Sequence, residues 1–177
     1  NQSRRQRQMC IRDRYRAGDQ PNNAFSLNIF KKGQTALSGG TSGVIYSLTD
    51  FQSVKKNLKL NYFAHIDYSD KVRSIGELAC INGAGAMLKW LKNLFGENSY
   101  QNMDKIAATT CIGSNKLAVF PFGNGSERIL DNQNIGGQFS SINFNTHSKA
   151  QFFRATIEGI AFASVSYTHL RAHETET

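Results

Sequence analysis

The sequence predicts a mixed α/β domain. Short β-branched and aromatic runs alternate with segments of helical apolar period, and glycine-rich turns separate them, with 15 glycines against 2 prolines. A hydrophobic content of 40% over 177 residues is enough for one core, or for parts of two.

The first helix starts at Asp19-Gln20-Pro21, an acidic residue followed by proline in the first turn, where a missing N–H costs nothing. It runs through Ala24, Phe25, Asn28 and Ile29 and stops near Gly33. Residues 34–38 read as a short strand, GGTSG at 39–43 as a turn and VIYSL at 44–48 as a second strand. GAMLKWLKNLF, residues 85–95, is the clearest helix. Met87, Leu88, Leu91, Leu94 and Phe95 share a face, and Gly96 ends it. Trp90 reads as packing. A weaker helix covers 101–110, with Met103, Ile106, Ala107 and Thr110 in phase. A buried strand at 117–122 leads into the polar loop GNGSERILDNQNIGG. The last helix runs from about Ser148 to Ala163 and contains Gly159, which costs about 1 kcal/mol against alanine and so implies close packing or a ligand contact.

Charge narrows the function classes. The formal net charge is +8, but residues 1–16 supply +5 through six arginines against Asp13, and residues 166–177 supply −1, leaving +4 for the rest. A nucleic-acid partner is therefore not expected. No apolar run approaches the ~20 residues of a membrane span, and no signal-peptide pattern opens the chain. Cys10, Cys80 and Cys111 lie far apart without a CxxC pair, so neither a zinc site nor a disulfide framework is expected, and a reducing cytoplasm suits them. RRQRQMCIRDR (residues 4–14) and SYTHLRAHET (166–175) lack apolar periodicity and resemble adaptor-derived ends of conceptual environmental proteins. Residues 1–16 and 166–177 are accordingly read as a non-native arm and tail, and His169 and His173 as poor evidence for a metal site.

Three segments are candidates for chemistry. In GGTSG, glycines let successive N–H groups face an anion while Thr41 and Ser42 add hydroxyl donors; a plain glycine-rich hairpin is the competing reading. Asp19 at a helix start is either an N-cap, the reading favoured by the residues alone, or a general base aimed at a substrate hydroxyl, with Gln20 beside it for polyol hydrogen bonds. INGAG, residues 81–85, lets backbone approach a flat ligand, or is a tight turn into a core helix. Glu127 and Arg128 bind an anion or tie a loop down, and isolated His65 and His147 read as structural.

AGDQPNNAFSLN, ALSGGTSGVIYSLTD, FAHID, CINGAGAMLKWLK, FPFGNGSER and FFRATIEGIAFA, in that order, resemble the FGGY carbohydrate kinases over nearly all of residues 17–163, and the bacterial xylulokinases in particular. The resemblance implies a partial actin/hexokinase-like (ribonuclease H-like) ATPase fold. Residues 17–33 would be the last helix and hinge of an N-terminal kinase domain, and 34–165 part of the C-terminal domain. It implies Asp19 as the catalytic base and a sugar contact, Gln20 as a second sugar contact, and Gly40, Thr41, Ser42 and Gly85 as ATP and phosphate contacts. Lys89 stands where glycerol-kinase relatives carry glutamine, so no role transfers to it. The implied partners are a sugar and ATP with Mg²⁺, and the implied reaction is phosphorylation of a ketopentose, D-xylulose to D-xylulose 5-phosphate. Ribulose, gluconate or glycerol as substrate is the alternative; a non-catalytic ATPase-fold protein and, from the basic charge, a nucleic-acid-binding protein are further ones. The family's first phosphate motif and its adenosine motif would lie outside this segment, so the chain alone is expected to be inactive.

Overall fold

The computed structural model describes residues 18–54 and 59–172. Helix α1 (Asp19–Ser26) leads into strands β1 (Thr35–Gly39) and β2 (Gly43–Asp50), then β3 (Asn61–Ala64) and β4 (Ser74–Ile81). Helices α2 (Ala84–Leu94) and α3 (Tyr100–Ala107) follow, then β5 (Ala118–Phe122), β6 (Gly136–Ser140) and the long α4 (Lys149–Ala172).

The first four strands form an antiparallel sheet in the order β1-β2-β4-β3. Strand β2 is central and buried from Val44 to Thr49, because both of its faces are covered. Val44, Tyr46 and Leu48 join Ala36, Leu78, Ala24 of α1 and Ile29 just beyond that helix on one side. Ile45 packs with Leu60 and Ala79 on the other. Strands β5 and β6 pair separately, Val119 opposite Phe139, and α4 lies on β5. Leu91 of α2, Met103 and Ala107 of α3 and Phe153 of α4 close a third cluster. Truncating a fully buried leucine such as Leu91 removes about 2–5 kcal/mol.

Four details differ from the sequence reading. Helix α1 ends at Ser26 rather than near Gly33, because Asn28 takes the left-handed conformation (φ 58°). The Asn28 and Ile29 amides then donate back to the Phe25 and Ala24 carbonyls at 2.9 and 3.0 Å, a Schellman termination. Strands β3, β4 and β6 were not expected. Leu94 is 60% exposed although it is in phase with the apolar face of α2. Finally, α4 continues to Ala172, past Ala163, since no glycine or proline after Gly159 stops it. The helix thereby enters the segment read as a tail, whereas the arm at 1–16 lies outside the described residues.

Gly159 is explained by packing: a Cβ there would overlap the Val119 carbonyl oxygen, so glycine lets α4 touch the β5 backbone. No helix among the described residues is long and apolar enough to cross a membrane.

Candidate functional site

Strands β1 and β2 are joined by the turn at residues 40–42, with Gly39 opposite Gly43 closing the ladder. The Gly40 amide donates to the Ser42 carbonyl at 3.0 Å, while Gly40 and Thr41 remain exposed. The N-terminus of α2 is seated on this turn. The Ala86 amide donates to the Thr41 carbonyl at 3.0 Å. A Cβ at Gly85 would overlap the Gly40 carbonyl oxygen and stand 3.3 Å from the Thr41 Cα. Gly85 was expected to let backbone approach a flat ligand; the close approach seen here is instead to the backbone of the turn.

Together these pieces line a cavity of about 500 Å³ formed by Gly40, Thr41, Gly85, Ala86, Lys89, Trp90, Asn93 and Tyr100. Lys89 is the one charged side chain among those residues and lies one helical turn beyond Gly85. Exposed backbone, a threonine hydroxyl, an ammonium group and the first turn of a helix suit a polyanion. Trp90, expected as core packing, is 52% exposed and rests against Phe139 with ring centroids 6.3 Å apart. It borders this cavity and a neighbouring one of about 360 Å³. Neither cavity is lined by a carboxylate, so no residue here is assigned to Mg²⁺. Among the described residues no group of three or more His, Cys, Asp or Glu is placed to hold a metal.

Ser42 belongs to the same turn but is not among the residues lining this cavity. Burial, and then the nearby Glu127 charge, push the Cys80 thiol pKa upward, and the Ser42 side chain offsets part of that rise.

Asp19 and Gln20 stand apart from this cavity. Gly18, not Asp19, occupies the N-cap position of α1 and makes no side-chain cap bond. Asp19 is the first helical residue, exposed, and its carboxylate accepts from the Gln20 amide at 2.9 Å. The cap reading is thus replaced by a first-turn acid facing solvent, because the chain enters the helix one residue earlier. Gln20 borders a different cavity of about 210 Å³, between α1 and β1.

The remaining candidates are structural. His147 Nδ1 accepts from the Asn143 amide at 3.1 Å, so Nε2 carries the proton and donates to the Asn115 carbonyl at 3.0 Å. His65 is buried and shares a 3.0 Å hydrogen bond with the Tyr46 hydroxyl. Burial, with Asp67 nearby, pushes the Tyr46 pKa up to about 12. Arg128 donates to the Leu60 carbonyl at 3.4 Å and Glu127 accepts from Asn82 at 2.9 Å, so both tie the loop down. Asn82 gave no sequence signal, because a carboxamide–carboxylate pair 45 residues apart forms no local pattern.

No family model matches the chain. It is similar to the xylulose kinase of Staphylococcus epidermidis, 30% identical over 161 residues that make up 89% of this chain and 32% of that protein. It is also similar to the gluconokinase of Bacillus subtilis, 28% identical over 149 residues, 78% of this chain and 28% of that protein. Among solved structures, the xylulose kinase of Rhodospirillum rubrum superposes with a TM-score of 0.78 at 21% identity, over 90% of this chain and 31% of that one. The chain thus spans about a third of the length of the proteins it matches. The described residues have the fold of part of an actin/hexokinase-like sugar kinase, and the sequence similarities support the FGGY carbohydrate kinases as its family.

Proposed function

We propose that this chain is a segment of an FGGY sugar kinase and supplies part of its ATP site together with its catalytic base. The observation that carries the reading is the seating of Gly85 and Ala86 on the turn at residues 40–42, at the wall of a cavity whose one charged liner is Lys89. ATP bound there would supply the phosphoryl group. In this reading Gly40, Thr41, Ser42 and Gly85 position its phosphates, with the turn held rigid so that little reorganisation accompanies binding. Asp19 is solvent-facing at a helix start, and in the same reading it takes the proton from the attacking sugar hydroxyl while Gln20 orients the polyol. Mg²⁺ would arrive with the nucleotide. Residues 17–33 would close one domain and its hinge, and 34–165 would form part of the second.

Two similarities bear on the acceptor, one to a xylulose kinase and one to a gluconokinase. The former has the higher identity and the wider coverage, and D-xylulose is the acceptor we propose. A coupled ADP-release assay on the full-length reading frame containing this segment decides it, with D-xylulose, D-ribulose, gluconate and glycerol as acceptors. The highest kcat/KM on D-xylulose is expected. A preference for gluconate would move the assignment within the family, and no turnover on any polyol would overturn it.

A further inference from the structure

Between β4 and α2, Asn82 uses both ends of its carboxamide. Its Oδ1 accepts from the Cys80 thiol at 3.2 Å, and its Nδ2 donates to Glu127 Oε1 at 2.9 Å. Each neighbour of Asn82 leads to the turn at residues 40–42. Toward the N-terminus, Cys80 pairs across the sheet with Val44, next to Gly43, which closes the turn. Toward the C-terminus, Gly83 and Ala84 open α2, whose Ala86 amide holds the Thr41 carbonyl. A shift at Asn82 therefore reaches the turn from two sides.

Glu127 is itself held in an uncommon conformation. Its φ of 50° lies in the left-handed region, which a non-glycine residue seldom occupies without support from its surroundings. Support is present: its carbonyl accepts from the Asn132 amide at 2.7 Å, and the adjacent Ser126 hydroxyl donates to the Gln133 carbonyl at 2.6 Å. The segment Glu127–Leu130 also packs on β4. Such an arrangement fixes where the carboxylate points.

We propose that Glu127 is a positioning residue that sets the geometry of the turn at residues 40–42 through Asn82. This rests on the proposal that the turn receives phosphate, since only then does its geometry matter for binding. Glu127 touches no ligand in this scheme; it orients the carboxamide, which orders β4 and α2 against the turn.

Amide hydrogen exchange on the 177-residue chain, read peptide by peptide, tests this. Glu127→Ala should speed exchange across residues 40–43 by about tenfold, the usual consequence of losing one partly buried hydrogen bond, while α3 stays unchanged. Asn82→Asp keeps the acceptor for Cys80 but sets a carboxylate against Glu127, and it should loosen the turn equally. Glu127→Gln preserves an acceptor for Asn82 Nδ2 and should restore the wild-type rate, a rescue that a purely space-filling role would not require. Unchanged exchange at 40–43 in both Glu127→Ala and Asn82→Asp would overturn the inference, as would loosening by Glu127→Gln as large as by Glu127→Ala. The phosphate reading is tested separately on the full-length reading frame containing this segment: saturating MgATP should protect 40–43 there, and absence of protection would count against that reading alone.

Discussion

Gly85 lies so close to the Gly40 carbonyl oxygen that no side chain fits between them. Helix α2 and the turn at residues 40–42 therefore form one packed unit. Gly85→Ala gains up to about 1 kcal/mol of helix propensity. It also forces Cβ into backbone that cannot rotate away, a cost of about 1–3 kcal/mol, so the overlap wins. We expect a lower Tm and faster amide exchange in the turn. An unchanged or raised Tm would show that α2 moves off the turn at no cost.

Gly40 gives the opposite forecast. A Cβ there meets only the Ser42 carbonyl oxygen, at 3.8 Å, and its backbone is not left-handed. Gly40→Val should thus leave stability within about 0.5 kcal/mol, the usual range for exposed positions. Under the proposed function, it should weaken ATP binding by the full-length protein more than sugar binding, since phosphate would then approach the backbone. Calorimetry with each ligand separately checks this, and equal losses for both would point to misfolding.

The contrast between these two glycines shows how far the sequence could be read. The β1–β2 hairpin was legible because GGTSG sits between β-branched runs, and Gly85 was singled out for approach to a ligand, whereas the structure sets it against the Gly40 carbonyl. What it approaches was not legible, because contacts between distant backbones leave no local pattern. Strand β4 was missed because Gly76 and Glu77 interrupt its apolar run. Gly76 is there because the Tyr46 ring lies across it, where any Cβ would overlap. Strand β6 opens with two glycines that read as loop. The end of α1 was misplaced because Asn28 supplies the left-handed residue that Gly33 was expected to provide. The six-motif order, by contrast, carried the fold, because it samples the whole segment rather than any one element.

Glu97 makes stability depend on acid. Its carboxylate accepts from Lys149 Nζ at 2.7 Å and from the Asn102 carboxamide, joining the α2–α3 connection to α4. Those bonds, Lys149 first, hold its pKa below the ordinary 4.5. A carboxyl whose pKa is lowered by folding stabilises fully above its unfolded value, and that contribution is lost as pH falls through the folded one. Tm should therefore be flat near neutrality and fall below about pH 4.5. Glu158 adds to the same slope: burial raises its pKa, but Arg154, the Gly113 amide and the Ser114 hydroxyl outweigh that and lower it. Glu97→Gln should give a lower Tm at pH 7 and a shallower acid limb. An identical pH slope in wild type and variant would exclude Glu97 as a contributor.

Asp19 separates a structural from a chemical role most cleanly. It is exposed, among the described residues it accepts from the neighbouring Gln20 amide, and the cap position belongs to Gly18. Its structural value is then mainly its favourable charge at a helix N-terminus, about 0.3–1 kcal/mol. Asn preserves the size of the side chain and its acceptor oxygen, so the folded chain should tolerate Asp19→Asn with a small change in Tm. As a general base, however, aspartate contributes through a carboxylate that takes up a proton in the transition state, which a carboxamide cannot do. Under the proposed function, Asp19→Asn in the full-length protein should therefore slow kcat by about 10²–10⁴ while sugar and ATP affinities stay near wild type. Melting curves on the present chain and steady-state kinetics on the complete enzyme check the two halves independently. Undiminished kcat together with a clearly lowered Tm would show that Asp19 serves the helix and that another group accepts the proton.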